Sequence, residues 1–425
     1  FYDVFNTFES MNKLNLDYFQ NLDNIDPLAK YREEFHLPKN IIYFDGNSLG
    51  LLPKRTIKNL EKTIYKEWGE ELIRSWNNAN WINMPLTLGD KIAPLLGANP
   101  GEVIVVDSTS VNLFKVLSSA LILNKSRKVI VSEASNFPSD LYILEGVNEM
   151  FGNNFESCLI EEGETDVEKY IDSSTAVVML SHINYKTGRI SDMKKITEHA
   201  HKKGALVVWD LSHSVGVMPI DLNKYNVDFA VGCTYKHLNG GPGAPGFLYV
   251  SHDLIEHVSQ PLTGWLGHAN PFGFEDKYNA SNDIKKYICG TPPILSYKAV
   301  ESGLEIFNGI SMKMVREKSI QLSEAFIALI QQECTEFGFE LLSPKNADQR
   351  GSQISFKHDD AYPIMQTLIS HGVIGDYREP NILRFGISPL YMRFEDIWEA
   401  IMCLKNIMES REWDSDQFKK RSYVT

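Results

Sequence analysis

Two polar side chains near the middle of the chain have the types and spacing that amine–carbonyl chemistry requires. Asp210 ends the apolar run ALVVWD (205–210), and Lys236 follows the next run, DFAVGC (228–233). Ligands of open α/β sheets bind at the carboxyl ends of the strands, so both side chains are expected at one crevice. A lysine held there can be partly desolvated, which lowers its pKa and frees an amine for Schiff-base formation.

Each of these residues also has an ordinary explanation when taken separately. Asp210 could cap a helix, with His213 as a surface histidine three residues later, and most lysines are solvated surface groups. The combination is more informative than its parts. A carboxylate for a ring nitrogen and a lysine for an imine are the two groups that pyridoxal 5′-phosphate requires of its protein.

A phosphate-bearing cofactor also needs hydrogen-bond donors. The segment DSTSVN (107–112) opens a predicted helix over 111–123, so Thr109 and Ser110 lie where backbone N–H groups and hydroxyls can form an anion site. Alone this signal is weak, because any Ser/Thr-rich segment can cap a helix. The glycine-rich stretch GGPGAPG (240–246) matches neither a P-loop nor a dinucleotide fingerprint.

The elements that must position these residues are short, continuous, valine-rich runs typical of strands buried on both faces of a largely parallel sheet. They cover residues 128–132, 176–180, 205–210, 228–233 and 246–251. Between two of them, residues 191–203 predict a helix that Ser191 or Asp192 caps and Gly204 ends. This strand–helix–strand unit predicts an α/β domain with helices flanking a mostly parallel central sheet.

The C-terminal third has a different pattern and predicts a smaller α+β domain. A long helix is predicted over 312–333, followed by a strand at 353–357, a helix at 362–371, a strand at 382–387 and a helix at 394–409. We therefore expect a large cofactor domain over 61–305 and a small domain over 306–425. The N-terminal segment, 1–60, is expected to pack with the small domain.

Composition restricts the possible partners. The chain has 42 Lys and Arg against 55 Asp and Glu, a formal charge of −13, which argues against a nucleic-acid or anionic-membrane partner. The five cysteines are at least 45 residues apart, so no disulfide framework or metal site is expected. No apolar stretch is long enough to span a membrane, and residues 1–10 lack a secretory pattern, so we expect a cytoplasmic protein.

Longer segments resemble the kynureninase family from about residue 41 to 395. The most specific are FPSD (137–140), YKHLNGGPGAPG (235–246) and the pair GWLGH (264–268) and TPPIL (291–295). Others are YFDGNSLGLLP (43–53), LSHINYKTGRI (180–190), WDLSHSVG (209–216) and DYREPNILRFGISPLY (376–391). The resemblance implies a pyridoxal-phosphate enzyme of fold type I, with the aspartate-aminotransferase fold.

The resemblance also implies roles for individual residues of the large domain. Lys236 would form the Schiff base, Asp210 would pair with the pyridinium nitrogen, and Phe137 would stack on the ring. Thr109 and Ser110 would bind the phosphate, although family members often have Leu-Thr at these two positions. Tyr235 would reach the phosphate and relay protons. The remaining cofactor contacts would come from Asp140, Ser181 and His213.

Four further residues are assigned through the resemblance. Trp265 and Thr291 would reach the phosphate from a neighbouring subunit, which implies a homodimer with shared active sites; some relatives have Asn at the Thr291 position. Arg384 would bind the substrate carboxylate, for which guanidinium geometry is suited. A structural ion pair is the alternative for Arg384. Asn47 would contribute to the pocket for the aryl group.

The activity implied is hydrolysis of L-kynurenine, or of its 3-hydroxy derivative, to the corresponding anthranilate and L-alanine, in tryptophan catabolism. Lys236, Tyr235 and Asp210 would be the catalytic residues, and no metal is expected. Three alternatives remain. They are another fold type I enzyme such as a desulfurase-like lyase or an aminotransferase, a non-enzymatic binding protein, and a dinucleotide-dependent oxidoreductase. The last would need a GxGxxG motif after an early strand, and none is seen there.

Overall fold

The computed structural model describes residues 14–421 of the chain. Residues 1–13, which include the segment where no secretory signal is expected, and residues 422–425 lie outside the described residues. The chain divides into two compact units. Residues 55–185 and 191–308 form the larger unit, whereas residues up to 54, 186–190 and 309 onwards belong to the smaller unit.

The larger unit is built on a seven-stranded sheet. Its strands, from one edge to the other, are Val103–Val105, Phe247–Val250, Phe229–Gly232, Leu206–Asp210, Thr175–Ser181, Val129–Glu133 and Glu156–Ile160. Phe247–Val250 runs antiparallel to both of its neighbours, and all other neighbouring pairs are parallel. Six strands therefore point the same way, and their carboxyl ends lie along one edge.

The five strands predicted from valine-rich runs are confirmed within one residue at each end. Two strands of the sheet were not predicted, because neither is a valine-rich run of the predicted length. Val103–Val105 is only three residues long. Glu156–Ile160 is an edge strand with several exposed side chains, so it lacks a continuous apolar run.

Helices cover the sheet of the larger unit, and one of them shows the predicted start and stop signals. Helix Met193–Lys203 begins after Asp192, whose Oδ1 accepts a 3.0 Å hydrogen bond from the backbone N–H of Lys195. It ends at Gly204, whose φ of +81° favours glycine. The other α-helices that begin between residues 54 and 308 are Lys54–Lys62, Ser75–Asn78, Met84–Ile92, Thr109–Leu123, Pro138–Met150, His252–Ile255 and Ile294–Leu304.

Helix Thr109–Leu123 is anchored by the core of the larger unit. Its Val116, Leu117 and Ala120 are fully buried and belong to the same apolar cluster as Ile130 and Val177 of the sheet. Burying each such aliphatic side chain stabilises the fold by about 1.5–3 kcal/mol. This packing fixes the N-terminus of the helix beside the carboxyl edge of the sheet.

The smaller unit has a four-stranded antiparallel sheet and a short parallel pair. The order in the sheet is Asp376–Arg378, Ile382–Gly386, Gln353–Lys357 and Glu340–Leu341, and Ile42–Tyr43 pairs with Val373–Ile374. Its α-helices are Leu16–Asn24, Met312–Glu333, Ala361–Ser370, Phe394–Ser410 and Asp416–Lys419. The strands and helices predicted for the C-terminal third are confirmed, each within one residue at either end.

Three general features bear on function. Between residues 14 and 421, no helix is both long and apolar enough to cross a bilayer. In the same part of the chain, no cluster of three or more His, Cys, Asp or Glu side chains is arranged to hold a metal ion. All five cysteines are free thiols.

Candidate active site

The carboxyl edge of the seven-stranded sheet brings together most of the polar residues singled out in the sequence. Ser181 and Asp210 are the last residues of adjacent parallel strands and lie directly opposite each other. Lys236 follows the next strand, Phe229–Gly232, and Thr109 follows Val103–Val105. Parallel pairing therefore converts residues that are distant in sequence into neighbours at one edge.

Lys236 lies at the centre of this edge and is half-buried. Its Nζ is 2.8 Å from Nε2 of the buried His213, and it lies 6.0 Å from the ring centres of both Phe137 and Tyr235. A lysine ammonium has no acceptor, so Nε2 accepts this hydrogen bond whenever Lys236 is charged. The amine is thus held between an imidazole and two aromatic rings.

Asp210 and Asp140 form a pair of buried carboxyl groups that interact with each other. Burial, followed by the charge of Asp210 and a hydrogen bond to it, raises the pKa of Asp140 well above its ordinary range, and the charge of Lys236 only partly opposes this. Burial and Asp210 both favour the protonated form of Asp140, which can donate a hydrogen bond to Asp210. Asp210 also accepts a 2.7 Å hydrogen bond from the backbone N–H of Ser212, which orients its carboxylate.

Phe137 presents an aromatic ring beside Lys236. The side chain is 43% exposed although it is apolar, and the edge of its ring packs against Tyr185 with centres 5.1 Å apart. Asn136 holds the backbone that carries this ring. Its Oδ1 accepts hydrogen bonds from the backbone N–H of Phe137 at 2.9 Å and from Ser181 Oγ at 2.5 Å. Asn136 and Tyr185 had no assigned role, although Tyr185 lies in LSHINYKTGRI (180–190) and Asn136 directly precedes FPSD (137–140).

The first turn of helix Thr109–Leu123 has the features of an anion site. The helix begins two residues earlier than predicted, because Ser108 is the N-cap and accepts a hydrogen bond from the backbone N–H of Val111. Thr109 Oγ1 is buried and has no hydrogen-bond partner among the described residues. Ser110 Oγ lies 3.2 Å from Ser139 Oγ. A Cβ at Gly246 would lie 3.1 Å from the backbone nitrogen of Thr109, so a side chain there would crowd the helix start.

Tyr235 adds a protonated hydroxyl to the edge. Burial, with smaller contributions from the charges of Cys233 and Asp210, raises the pKa of Tyr235 above its ordinary value. The phenol therefore remains a hydrogen-bond donor throughout the neutral range.

Trp265 and Thr291 lie in a different part of the larger unit, and both are exposed. The ring of Trp265 stacks on Phe274 with centres 6.1 Å apart, and its Nε1 donates a hydrogen bond to the carbonyl of Pro271. Phe272 packs edge-on against the same indole. None of these contacts involves Lys236 or the helix start at Thr109.

Arg384 and Asn47 belong to the smaller unit. Arg384 is only 1% exposed and forms an ion pair with Asp376, which lies directly opposite on the neighbouring strand. Asn47 is also buried, and its Nδ2 donates a 3.3 Å hydrogen bond to Gln353. Its Oδ1 packs so closely against Gly386 that any Cβ at that position would lie 2.1 Å away.

Asp45 lies close to this ion pair and provides a pH-dependent test of the smaller unit. Burial, followed by the charge of Asp376, raises the pKa of Asp45 from 3.8 to about 7, and Oδ1 of Asp45 has no hydrogen-bond partner among the described residues. Because the folded pKa lies above the unfolded pKa, the stability that this group contributes below about pH 4 is lost as the pH rises to 7. One pKa unit corresponds to about 1.4 kcal/mol.

We therefore expect Asp45→Asn, which cannot ionise, to become more stable relative to the unchanged protein as the pH rises from 4 to 8. Thermal unfolding of both proteins across this range measures the difference. A difference in melting temperature that stays constant with pH would show that Asp45 does not titrate in this way.

Comparison with known proteins places this geometry in a family. Residues 315–404 match the model of the kynureninase C-terminal domain, and residues 83–221 match that of the DegT/DnrJ/EryC1/StrS aminotransferase family. Kynureninase from Pseudomonas fluorescens is 47% identical over 408 residues, which cover 95% of this chain and 98% of that protein. Kynureninase from Burkholderia pseudomallei (strain K96243) is 47% identical with the same coverage. The chain belongs to the kynureninase family.

Solved structures show that this kynureninase-family chain shares the fold of more distant enzymes. The apo cysteine desulfurase from Thermococcus onnurineus NA1 superposes with a TM-score of 0.75 at 18% identity, covering 90% of this chain and 98% of that one. A variant of C-DES with glycine covalently linked to its pyridoxal-phosphate cofactor superposes with a TM-score of 0.74 at 16% identity, covering 93% of this chain and 100% of that one. The predicted fold type I architecture is confirmed.

Proposed function

We propose that this protein is a pyridoxal-phosphate-dependent hydrolase that cleaves L-kynurenine to anthranilate and L-alanine. The observation that supports this most directly is the arrangement at the sheet edge, where Lys236 lies beside His213 and the Asp140–Asp210 pair is next to it. The family membership selects the carbon–carbon bond cleavage from among the reactions that this cofactor serves. The 3-hydroxy derivative of kynurenine is a second substrate candidate. One or two polar groups near the aryl ring of the substrate would decide the preference between kynurenine and this derivative.

The residues present fit pyridoxal phosphate. Thr109 offers a buried hydroxyl that has no hydrogen-bond partner among the described residues, at the N-terminus of a 15-residue helix, which suits a phosphate. Phe137 offers a partly exposed ring for stacking, and Asp210 offers a carboxylate for a protonated ring nitrogen. In this proposal Ser110, Ser181, Tyr235 and His213 complete the contacts. Bound pyridoxal phosphate supplies an electron sink for the carbon next to the substrate amine.

On the substrate side, we assign Arg384 to the α-carboxylate and Asn47 to the aryl pocket. Asp210 holds the proton of the ring nitrogen, and the neutral Asp140 keeps that carboxylate oriented through its hydrogen bond. With pyridoxal phosphate and substrate bound, the amine of Lys236 would take the proton from the substrate α-carbon. His213, 2.8 Å from that nitrogen, can accept or return a proton there.

Water must then add to the γ-carbonyl before the bond between the β- and γ-carbons breaks. The ring centre of Tyr235 lies 6.0 Å from Lys236 Nζ and burial raises the pKa of its hydroxyl, so we assign this hydroxyl to the oxygen on which negative charge develops. Lys236 and Tyr235 both remain candidates for the general acid that protonates the product.

A cysteine-desulfurase-like activity is the main alternative, because desulfurases share the fold. Such an enzyme needs a nucleophilic cysteine on a mobile loop of the small domain. Cys403 lies within helix Phe394–Ser410, and Cys334 is fully buried at the residue that follows helix Met312–Glu333. Burial raises the pKa of both thiols, which disfavours the reactive thiolate.

The direct test of the proposed function is release of fluorescent anthranilate from L-kynurenine by the purified protein loaded with pyridoxal phosphate. L-Cysteine is the matched alternative substrate, and sulfide or persulfide formation is its readout. A protein that binds the cofactor and releases sulfur but no anthranilate would be a desulfurase-like enzyme instead.

We further propose a homodimer in which Trp265 and Thr291 contact the phosphate bound to the partner subunit. The exposed aromatic cluster of Trp265, Phe272 and Phe274 supports this, since large apolar groups that are exposed together mark interaction surfaces. Five free thiols spread widely along the chain support a cytoplasmic location. A role in tryptophan catabolism would follow from the substrate.

Hybrid dimers can test whether Trp265 acts on the partner's site. Lys236→Ala and Trp265→Ala are each expected to be poorly active alone. The two variants are mixed, dissociated and allowed to reassociate, so that some dimers contain one subunit of each variant. If Trp265 acts across the interface, such a hybrid dimer has one active site with both substitutions and one active site with neither. The mixture should then recover about a quarter of the unchanged activity, since half of the dimers are hybrids. No recovery in the mixture, with hybrids present by mass, would place Trp265 on its own subunit's site.

A further inference from the structure

The ion pair of Arg384 with Asp376 has the geometry of a fixed two-point contact. Arg384 Nε donates to Asp376 Oδ1 at 2.7 Å, and Nη2 donates to Oδ2. The two residues are directly opposite on adjacent antiparallel strands, and their side chains are only 1% and 2% exposed. The plane of the guanidinium is therefore set by the register of the two strands.

Ser48 ties a loop from the N-terminal segment to this pair. Its Oγ donates to Asp376 Oδ2 at 3.0 Å and accepts from Arg384 Nη2 at 2.9 Å. The Nε–Nη2 edge of Arg384 is thus engaged at both nitrogens, which fixes the direction of Nη1 as well.

The charges around the pair are unbalanced. Arg378 Nη2 also contacts Asp376 Oδ2, at 2.6 Å, so two guanidinium groups share one carboxylate. Burial, followed by the charge of Asp376, raises the pKa of the nearby Asp45, which favours its protonated form beside these two guanidinium groups.

We propose that Asp376 is the positioning residue for Arg384, and that it holds the guanidinium in the orientation that receives the substrate carboxylate. This inference rests on the proposed function, because it takes Arg384 as the carboxylate-binding group. It assigns Asp376 no contact with the substrate. Ser48 supports the same orientation, because it donates to Asp376 and accepts from Arg384.

Asp376→Asn tests the inference, since the amide keeps the size of the side chain but removes the charged two-point contact. We expect the KM for L-kynurenine to rise about tenfold or more, because charge-assisted bidentate contacts are among the strongest hydrogen bonds. We expect kcat to change less than about threefold and the visible absorbance of the bound cofactor to stay unchanged, because positioning affects binding of the substrate and not the chemistry at Lys236.

Asp26→Asn is the matched control. Asp26 forms a buried ion pair of 2.7 Å with Lys318 in the same unit, with side chains 3% and 5% exposed. Its replacement is expected to lower the melting temperature and to leave KM unchanged. If Asp376→Asn raises KM no more than Asp26→Asn does, or acts mainly on kcat, the inference is wrong.

Two further variants separate the possible failures. Ser48→Ala leaves the ion pair intact and should still raise KM about threefold, which provides a test if Asp376→Asn does not fold; an unchanged KM in Ser48→Ala would then count against the inference. Arg384→Lys should raise KM strongly, because a single ammonium cannot replace the planar fork. If Arg384→Lys leaves KM unchanged while the unchanged protein releases anthranilate, Arg384 is a structural ion pair and the inference fails. If the unchanged protein releases no anthranilate, the proposed function itself fails.

Discussion

Replacing Lys236 with alanine is expected to lower anthranilate release about a thousandfold or more. Under the proposed function the variant would lose both the amine that holds the cofactor and the base that moves the α-proton, and general acid–base catalysis alone contributes roughly 10²–10⁴-fold. The visible absorbance of the lysine-bound cofactor should disappear as well. Borohydride treatment of the unchanged protein should attach the cofactor to the peptide that contains Lys236, which mass spectrometry can identify.

Lys224→Ala is a suitable control, because Lys224 is an exposed lysine of the same unit. It should keep both the absorbance band and the activity. Lys236 would not be the catalytic lysine if borohydride attached the cofactor to another lysine and Lys236→Ala kept its activity.

Replacing Asp210 with asparagine is expected to lower kcat about a hundredfold or more. The amide cannot stabilise a protonated ring nitrogen as a carboxylate does, and removing one electrostatic contact that strengthens during reaction typically costs about 10²–10³-fold. Asp140 would also lose the charged acceptor of its hydrogen bond. Steady-state kinetics and the absorbance of the bound cofactor measure both consequences.

Asp140→Asn is the paired variant that distinguishes the two carboxyl groups. Burial and Asp210 raise the pKa of the native Asp140 and favour its protonated form, so an amide that donates to Asp210 reproduces the hydrogen bond of that form. We expect a loss of activity below about tenfold. A larger loss in Asp140→Asn than in Asp210→Asn would show that the roles of the two residues are exchanged.

Local sequence patterns were sufficient to predict most of the elements that carry the site. Buried parallel strands have continuous apolar runs, so Leu206–Asp210 and Thr175–Ser181 were identified within one residue. Glu156–Ile160 was not, because an edge strand with exposed side chains lacks that run. The order of the strands in the sheet could not be predicted either, since it depends on long-range packing rather than on local pattern.

Side-chain partnerships were harder to predict than the side chains themselves. Asp140 and Asp210 were both named, but the raised pKa of Asp140 depends on burial that only the folded chain shows. Asp376 lay unnoticed within the same segment as Arg384. A signal was present, because Pro380 and Asn381 mark a turn between two strand-like runs, and a hairpin centred there pairs residue 376 with residue 384.

The smaller unit contains both the early and the late parts of the chain, and this determines the order in which it can assemble during synthesis. Ile42–Tyr43 pairs with Val373–Ile374, and Asp26 pairs with Lys318. The buried side chains of Phe19, Phe35 and Phe44 therefore leave the ribosome long before their packing partners from residue 309 onwards exist. At roughly 5–20 residues per second this interval lasts tens of seconds, during which the larger unit can fold but the N-terminal segment stays exposed to chaperones and to other nascent chains.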